Sequence, residues 1–180
     1  VTATLFLDRN GYLLLPLASE YTHVSHYEGT PTGGMGAIAP IPLKEERKNE
    51  IKERIIEPLL KGMKEEGISY KGVMTLSLVI SDNGPYLVDF HVRLNDPATQ
   101  AMVPIIKTDV MDIMMAMKED KLSTLKLETS SLATVAVVLA TPGYPINPET
   151  GREIKGIDNS YLMNLNDKPL VFVGAVKRTS

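Results

Sequence analysis

The 180 residues of this chain suffice for one full domain, or for one domain with a small appendage. With 19 Lys and Arg against 22 Asp and Glu, the net charge of −3 argues against a basic face for nucleic acid. No apolar run approaches the roughly 20 residues of a membrane span. The lack of cysteine excludes disulfides, thiolate nucleophiles and zinc ribbons, so we expect a reducing, cytoplasmic setting.

The first elements are predicted to be a β-hairpin and a long connection. Residues 4–8 and 12–17 are apolar runs joined through Asn10 and Gly11, a pair that supplies the positive φ of a tight turn. Residues 18–42 lack periodicity and are rich in Gly, Thr and Pro, which indicates a connection without regular structure. Since the chain begins with Val1 and a strand follows almost at once, we expect a piece of a longer protein.

The central part is predicted to be a helix followed by a second hairpin. Over residues 43–67 isoleucine, leucine and methionine recur at helical spacing, and lysine and glutamate fill the other face. Gly67 suits a left-handed C-terminal cap, and Pro58 predicts a kink or a junction between shorter helices. Residues 72–80 and 86–93 are predicted to be the strands of the hairpin.

Two further helices and two strands are predicted in the remainder. One helix is predicted to start near Asp96, with Pro97 at its first helical position. The other is predicted over residues 109–117. The strands are residues 132–141 and 170–176. A polar stretch near Thr129 predicts a domain boundary, which divides the chain into residues 1–128 and a small β-rich domain, 129–180.

The second strand of the second hairpin carries the clearest candidate site. Because side chains alternate across a strand, Asp89, His91 and Arg93 share one predicted face. A carboxylate suits a divalent cation beside nucleotide phosphates, and an arginine can bind a phosphate or a carboxylate. The opposite face, with Val88 and Phe90, is predicted to be core. The alternative for the polar face is a solvated or salt-bridged outer surface.

Three other patterns could bind ligands. Three glycines within residues 32–36 could present backbone N–H groups to an anion, although such a loop can also be merely flexible. The predicted helix start at Asp96 and Pro97 could attract an anion or be only a cap. His23 and His26 form an isolated pair, and we do not expect zinc, because two more ligands would be needed.

Taken together, these segments resemble the phosphoribosylamine–glycine ligase family of the ATP-grasp superfamily. Residues 29–40, GTPTGGMGAIAP, are similar to its GPNTGGMGAYSP loop, and residues 89–100, DFHVRLNDPATQ, to its EFNCRFGDPETQ signature. Residues 70–73, YKGV, and the VVLA and GYP segments that begin at residues 137 and 143 match further family segments in the same order. The matches span residues 4–176, so the resemblance covers nearly the whole chain.

The resemblance implies an α+β fold, the second half of an ATP-grasp domain with its antiparallel sheet and helices, followed by the small domain. It implies a cytoplasmic enzyme of purine biosynthesis. In that family glycine is phosphorylated by ATP, and 5-phosphoribosylamine then attacks the glycyl phosphate, with ADP and phosphate as products. The partners implied are these small molecules, with neither nucleic acid nor membrane, and a monomer is favoured. The 180-residue piece alone is expected to bind ATP weakly and not to turn over.

The same resemblance assigns site residues. Asp89 and His91 stand where the family holds Mg²⁺ or Mn²⁺, and Arg93 and Asp96 are the implied catalytic residues. The implied substrate-binding residues lie in the two motifs: Thr32, Gly33, Gly34, Met35, Gly36, Asn95, Pro97 and Thr99.

Several residues depart from the family pattern. Asp89 replaces Glu, His91 replaces Asn, Asn95 replaces Gly and Ala98 replaces Glu, and the family's AQDHKR segment reads ASEYTH at residues 18–23, so Thr22 stands in place of its lysine. Imidazole suits Mn²⁺ or Zn²⁺ better than Mg²⁺. Two alternatives therefore stay open, another ATP-grasp carboxylate–amine ligase and a non-catalytic nucleotide-binding paralogue.

Overall fold

A four-stranded antiparallel sheet and a three-stranded antiparallel sheet organise the computed structural model, which describes residues 1–25, 28–156 and 169–177. The strands are β1 (Thr2–Leu7), β2 (Tyr12–Leu14), β3 (Ser19–Ser25), β4 (Glu28–Ala39), β5 (Gly72–Ser81), β6 (Gly84–His91) and β7 (Thr134–Val137). The α-helices are α1 (Glu45–Ile51), α2 (Glu57–Glu65), α3 (Ala98–Met102) and α4 (Val110–Lys118). The α+β class predicted from the sequence is confirmed.

The larger sheet has the strand order β2-β1-β5-β6 and contains both predicted hairpins. Its β1–β2 turn is held by Asp8, whose Oδ1 accepts hydrogen bonds from the backbone N–H groups of Asn10 and Gly11 at 2.8 and 2.9 Å. The other carboxylate oxygen accepts from the N–H of Leu122 at 2.7 Å. Asp8 therefore joins the first turn to the segment after α4.

One face of the larger sheet packs against α1 and α2. The cluster on this face comprises Ala3, Leu5, Leu7, Leu17, Ile51, Ile56, Met74, Leu76 and Leu78. The predicted helix over residues 43–67 is present as α1, a π-helical segment Lys52–Ile56, and α2. Pro58 lies in the first turn of α2, so the predicted junction is confirmed, and Gly67 has the expected positive φ of 70°.

The prediction that residues 18–42 lack regular structure is wrong. They contain β3 and β4, which pair antiparallel with register shifts between Tyr21 and His23 and between His23 and Ser25. β4 also pairs with β7, which gives the smaller sheet the order β3-β4-β7. The glycines, prolines and irregular register hide the two-residue periodicity by which a strand is recognised.

The second core joins buried residues of both sheets to buried residues of the short helices. It contains Phe6, Leu13, Leu15, Ala18, Ala37, Ala39, Ala98, Ala101, Met102, Ile105, Ile113 and Leu122. The helix predicted from Asp96 begins later, at Ala98, and continues as a 3₁₀ turn, Val103–Ile105. The predicted methionine-rich helix is α4, which begins after Asp109, whose side chain accepts a hydrogen bond from the N–H of Met111.

The end of α4 is fixed by Asp120, which has a positive φ of 60°. Its Oδ1 accepts from Lys71 Nζ at 2.8 Å and from the backbone N–H of Arg9 at 3.1 Å. The hydrogen bond from Lys71, followed by the one from Arg9, holds the pKa of this carboxyl below its ordinary value. Asp120 thus joins three separate segments of the chain.

The chain divides into two compact units, Val1–Leu139 and Ala140–Ser180. β7 occupies only part of the predicted strand over 132–141 and belongs to the first unit. The predicted strand over 170–176 is wrong, since residues 169–177 form no strand. The cause is that an apolar β-branched run carries no information about a pairing partner. In the described part of the chain, no helix is both long and apolar enough to cross a membrane.

Candidate active site

A polar strip runs across the face of the larger sheet that does not carry the helices α1 and α2. Cross-strand pairing places Thr2 opposite Ser77 and Ser77 opposite Asp89. The adjacent row runs from Thr4 through Thr75 to His91. The strip could be found in the sequence, because Thr2 and Thr4 alternate with apolar residues in β1.

The two predicted metal ligands lie at the outer end of this strip. Asp89 Oδ2 and His91 Nε2 are 3.8 Å apart, and their side chains are 63% and 35% exposed. Asp89 Oδ1 accepts a hydrogen bond from the N–H of Phe90 at 2.8 Å. The pair is therefore accessible, and one oxygen of the carboxylate is partly oriented by its own backbone.

The residues predicted to form the buried face of the strand over 86–93 are exposed. Tyr86, Val88, Phe90 and Val92 are between 49% and 66% exposed. The register shifts between Ser77 and Leu78, because Ser77 pairs with Asp89 and Leu78 with Leu87. The extra residue moves Leu87 off the face of Asp89, so simple alternation fails along this strand.

Arg93 lies two residues beyond the end of β6, in the loop that leads to α3. Its Nη1 donates to the backbone oxygen of Leu94 at 3.1 Å and to Asn95 Oδ1 at 3.2 Å. Its own backbone oxygen accepts from Thr75 Oγ1 at 2.8 Å, which ties the loop to the polar strip. Asn95 is only 7% exposed and also accepts from Thr99 Oγ1 at 2.6 Å through its backbone oxygen.

The glycine-rich segment of β4 meets the turn before α3. A Cβ at Gly34 would stand 2.4 Å from Pro97 Cδ and 2.9 Å from the backbone oxygen of Asp96. Gly34 also has a φ of 130°, which side chains rarely adopt. The Asp96–Pro97 peptide bond is cis. The two motifs that carry the family resemblance are thus in direct contact.

Neighbouring residues of the glycine-rich segment support this contact. Thr32 Oγ1 donates to the backbone oxygen of Thr22 at 2.8 Å and accepts from the N–H of Gly34 at 3.0 Å. The backbone oxygen of Met35 accepts from the N–H of Val138, and a Cβ at Gly36 would stand 2.9 Å from the backbone oxygen of Ala136. The segment is therefore a strand held by hydrogen bonds and close contacts, whereas the sequence predicted a loop.

The expected N-cap at Asp96 is wrong. Pro97 occupies the N-cap position of α3 and no side chain caps the helix there, while Asp96 Oδ1 accepts from Gln100 Nε2 at 2.8 Å. The backbone oxygen of Asn95 instead accepts the first N–H of the turn, from Thr99. Asp96 is exposed, which leaves its carboxylate accessible to a ligand.

The histidine pair of the sequence is not brought into this site. His23 lies in β3, where its Nδ1 is 3.3 Å from Thr22 Oγ1, and His26 lies outside the described residues. Thr22 is exposed, and Ala98 is fully buried in the core. Within residues 1–25, 28–156 and 169–177, no group of three His, Cys, Asp or Glu side chains could hold a metal ion by itself.

Sequence reasoning missed Glu20, on β3. Its Oε2 accepts from Thr2 Oγ1 at 2.8 Å and from Asn95 Nδ2 at 3.3 Å. A glutamate in a segment without periodicity gives no signal of such a role. The β-bridge between Thr2 and Ala18, two residues before Glu20, brings it to the polar strip.

Comparison with known proteins identifies the family of the chain. The family described as phosphoribosylglycinamide synthetase, ATP-grasp (A) domain, matches residues 1–99. The chain is 41% identical over 155 residues to the phosphoribosylamine–glycine ligase of Caldanaerobacter subterraneus subsp. tengcongensis, covering 85% of this chain and 37% of the relative. It is 37% identical over 164 residues to the enzyme of the same name from Clostridium acetobutylicum, covering 89% and 39%.

A solved structure supports the same relationship. The crystal structure of phosphoribosylamine–glycine ligase from Thermotoga maritima superposes with a TM-score of 0.69 and 30% identity, over 83% of this chain and 38% of that one. This chain therefore spans less than two fifths of the length of these relatives. The matched residues include β1–β6, the glycine-rich segment and the Asp96–Pro97 turn. The chain belongs to the phosphoribosylglycinamide synthetase family, and its residues 1–99 match the ATP-grasp (A) domain of that family.

Proposed function

We propose that the complete protein is an ATP-dependent ligase that joins glycine to 5-phosphoribosylamine. The observation that carries the proposal is the contact of Gly34, in β4, with Pro97, in the loop that follows the strand of Asp89 and His91. A glycine-rich backbone, an exposed arginine and a carboxylate–imidazole pair on segments that are in contact or adjacent in sequence support the proposal. Relatives named phosphoribosylamine–glycine ligase supply the reaction. We assign the enzyme to purine biosynthesis in the cytoplasm, with small-molecule substrates and a favoured monomeric state.

The reaction has two balanced steps. A carboxylate oxygen of glycine attacks the γ-phosphorus of ATP, and the bond to ADP breaks. The amine nitrogen of 5-phosphoribosylamine then attacks the carbonyl carbon of the glycyl phosphate, the bond to phosphate breaks, and the amine loses a proton. Such phosphoryl transfer depends mainly on positioning and on charge neutralisation, which a rigid polar surface provides.

The donor set at the end of β6 fits a divalent cation shared with phosphates. Asp89 and His91 offer one carboxylate and one imidazole 3.8 Å apart, and Mg²⁺ or Mn²⁺ in nucleotide sites commonly takes only one or two protein ligands. The imidazole favours Mn²⁺ over Mg²⁺. Asp89 and His91 would hold the cation, and its chemistry there would be to neutralise phosphate charge.

The remaining assigned residues bind and orient the reactants. Arg93, held by Leu94 and Asn95, neutralises a phosphate oxygen. Asp96, with Oδ1 fixed by Gln100, takes the proton that the amine loses. The segment Thr32, Gly33, Gly34, Met35 and Gly36, with Asn95, Pro97 and Thr99, borders the pocket for glycine and the ribosylamine.

The test is ADP release by the complete protein with glycine and 5-phosphoribosylamine supplied together and separately. Release that requires both substrates supports the proposal. ATP binding without release under any of these conditions contradicts it and favours a non-catalytic paralogue. The isolated 180-residue chain serves as a control, for which we expect weak ATP binding and no turnover.

A second candidate is a sister ligase with another acid or amine. It is favoured by Thr22, which is exposed at the position of the family's lysine, and by Ala98, which is fully buried where the family has a glutamate. Both positions therefore lack a charge expected of the family pattern. ADP release that depends on a different carboxylate or amine would select this candidate.

A further inference from the structure

A chain of hydrogen bonds joins β1 to the guanidinium group of Arg93. Thr2 Oγ1 donates to Glu20 Oε2 at 2.8 Å, and Asn95 Nδ2 donates to the same oxygen at 3.3 Å. Arg93 Nη1 in turn donates to Asn95 Oδ1 at 3.2 Å. The links connect β1, β3 and the loop after β6, three segments that are distant in the sequence.

The donor and acceptor properties of these groups fix the orientation of the Asn95 carboxamide. A carboxylate only accepts hydrogen bonds, a guanidinium only donates, and a carboxamide does both. Asn95 can therefore satisfy Glu20 and Arg93 together only with Nδ2 toward the first and Oδ1 toward the second. Because Asn95 is 7% exposed, water is a poor substitute for either partner.

Glu20 makes its hydrogen bonds to Thr2 and Asn95 through one carboxylate oxygen, Oε2. Its second oxygen, Oε1, is buried and has no hydrogen-bond partner among the described residues. The polar contacts of Glu20 among the described residues are therefore those of Oε2, with Thr2 and Asn95. Asn95 is the neighbour that also contacts Arg93.

We propose that Glu20 is a positioning residue, which sets the orientation of the Arg93 guanidinium through Asn95. The inference rests on the proposed function of Arg93 at a phosphate. In the family pattern that the sequence resembles, positions 20 and 95 are Asp and Gly. Glycine has no side-chain amide, so a chain with the family residue at position 95 could not form this link. The departures at positions 20 and 95 together make the link possible.

A double-mutant cycle in the complete protein tests the link. Glu20→Gln and Asn95→Gly should each lower kcat/KM by roughly tenfold, since small displacements of a positioned group are costly. The double variant should be no worse than the poorer single one. Losses that multiply overturn the proposal. Glu50→Gln, which changes a surface glutamate bonded to Arg47 at 2.7 Å, is the matched control and should leave kcat/KM unchanged.

Rescue by the family pair separates positioning from a purely structural role. Glu20→Asp alone should lower kcat/KM, because the shorter side chain does not reach Asn95. Combining Glu20→Asp with Asn95→Gly should restore kcat/KM above that of Glu20→Asp alone, since Arg93 is then released from a misplaced amide. A pair that is no better than Glu20→Asp contradicts the proposal.

A spectroscopic measurement decides the inference even if the proposed reaction fails. In protein labelled with ¹⁵N-arginine, Arg93→Lys identifies the side-chain resonance of Arg93. Glu20→Gln should shift this resonance, Asn95→Gly should shift it too, and Glu50→Gln should not. If Glu20→Gln does not fold, Thr2→Val replaces it. This variant keeps the charge of Glu20 and removes its hydrogen bond from Thr2, so it should shift the Arg93 resonance less than Asn95→Gly does. An unshifted Arg93 resonance in the folded variant overturns the link, whether or not ADP is released.

Discussion

Gly34 and Pro97 approach each other so closely that no side chain fits between them. A Cβ on Gly34 would lie 2.4 Å from Pro97 Cδ, well inside van der Waals contact, and 2.9 Å from the backbone oxygen of Asp96. The contact fixes the distance between the glycine-rich strand and the loop that carries Arg93. The geometry of the proposed pocket therefore depends on the absence of one carbon atom.

The first prediction concerns Gly34→Ala. The substitution forces a side chain into a φ of 130° and into Pro97, so we expect it to destabilise the fold by about 2–4 kcal/mol and to abolish ADP release. Urea denaturation measures the first effect. Gly29→Ala is the matched control, because Gly29 also has a positive φ, 89°, but its Cβ would have no atom within 4 Å. Equal losses in both variants would show that backbone strain alone, and not the contact with Pro97, is responsible.

The second prediction concerns Asp89→Ala. We expect it to abolish metal-dependent nucleotide binding by the complete protein and to leave the melting temperature nearly unchanged, since the side chain is 63% exposed. Titration with nucleotide at matched Mn²⁺ concentration measures the effect. Asp82→Ala, in the exposed turn between β5 and β6, is the control. An unchanged nucleotide affinity in Asp89→Ala would count against the metal assignment.

The third prediction concerns the metal preference that we propose for His91. An imidazole favours Mn²⁺ over the harder Mg²⁺, whereas an amide oxygen suits Mg²⁺. His91→Asn, which restores the residue of the family pattern, should therefore raise nucleotide affinity in Mg²⁺ relative to Mn²⁺. Parallel titrations in the two metals give this ratio. A ratio equal to that of the unchanged protein would mean that His91 does not bind the cation.

The fourth prediction is a pH dependence of stability at Asp120. Its pKa is lowered in the folded state from the ordinary value of 3.8, chiefly by the hydrogen bond from Lys71. The carboxylate therefore contributes stability above the ordinary pKa, and this contribution is lost as the pH falls through the lower, folded-state value. Asp120→Asn, which tolerates the positive φ, should flatten the stability profile below about pH 4. Urea denaturation midpoints of the unchanged protein and of Asp120→Asn, measured from pH 7 to pH 2.5, check this. Parallel profiles for the two proteins would contradict the prediction.

Most of the larger sheet could be predicted because its sequence signals are local. The first hairpin, the helical spacing before Gly67 and the second hairpin each depend on residues close in sequence. The positive φ expected at Asn10 and Gly11 is wrong, because the Asp8 carboxylate closes that turn instead. The hairpin β3–β4 could not be predicted, since its glycines and register shifts remove the alternation. The contact of Gly34 with Pro97 depends on that hairpin and therefore could not be predicted either.

The candidate site was found by residue type and by resemblance, but its partners were not. Asp89 and His91 were predicted to share a face, and the cross-strand pairs with Ser77 and Thr75 place them there. The bulge near Val88 could not be anticipated, because one extra residue leaves no mark on composition. Glu20 was missed because its importance arises only from neighbours in three-dimensional space.

The last strand of the larger sheet has a practical consequence for handling this chain. Among the described residues β6 is an edge strand of the larger sheet; Val88 and Phe90 lie in it and Val92 follows it, and they are 66%, 53% and 61% exposed. An unpaired strand edge with apolar side chains is a template for strand addition and favours aggregation. Produced by itself, the chain should self-associate as its concentration rises, and lysine substituted at Val88 should improve its solubility.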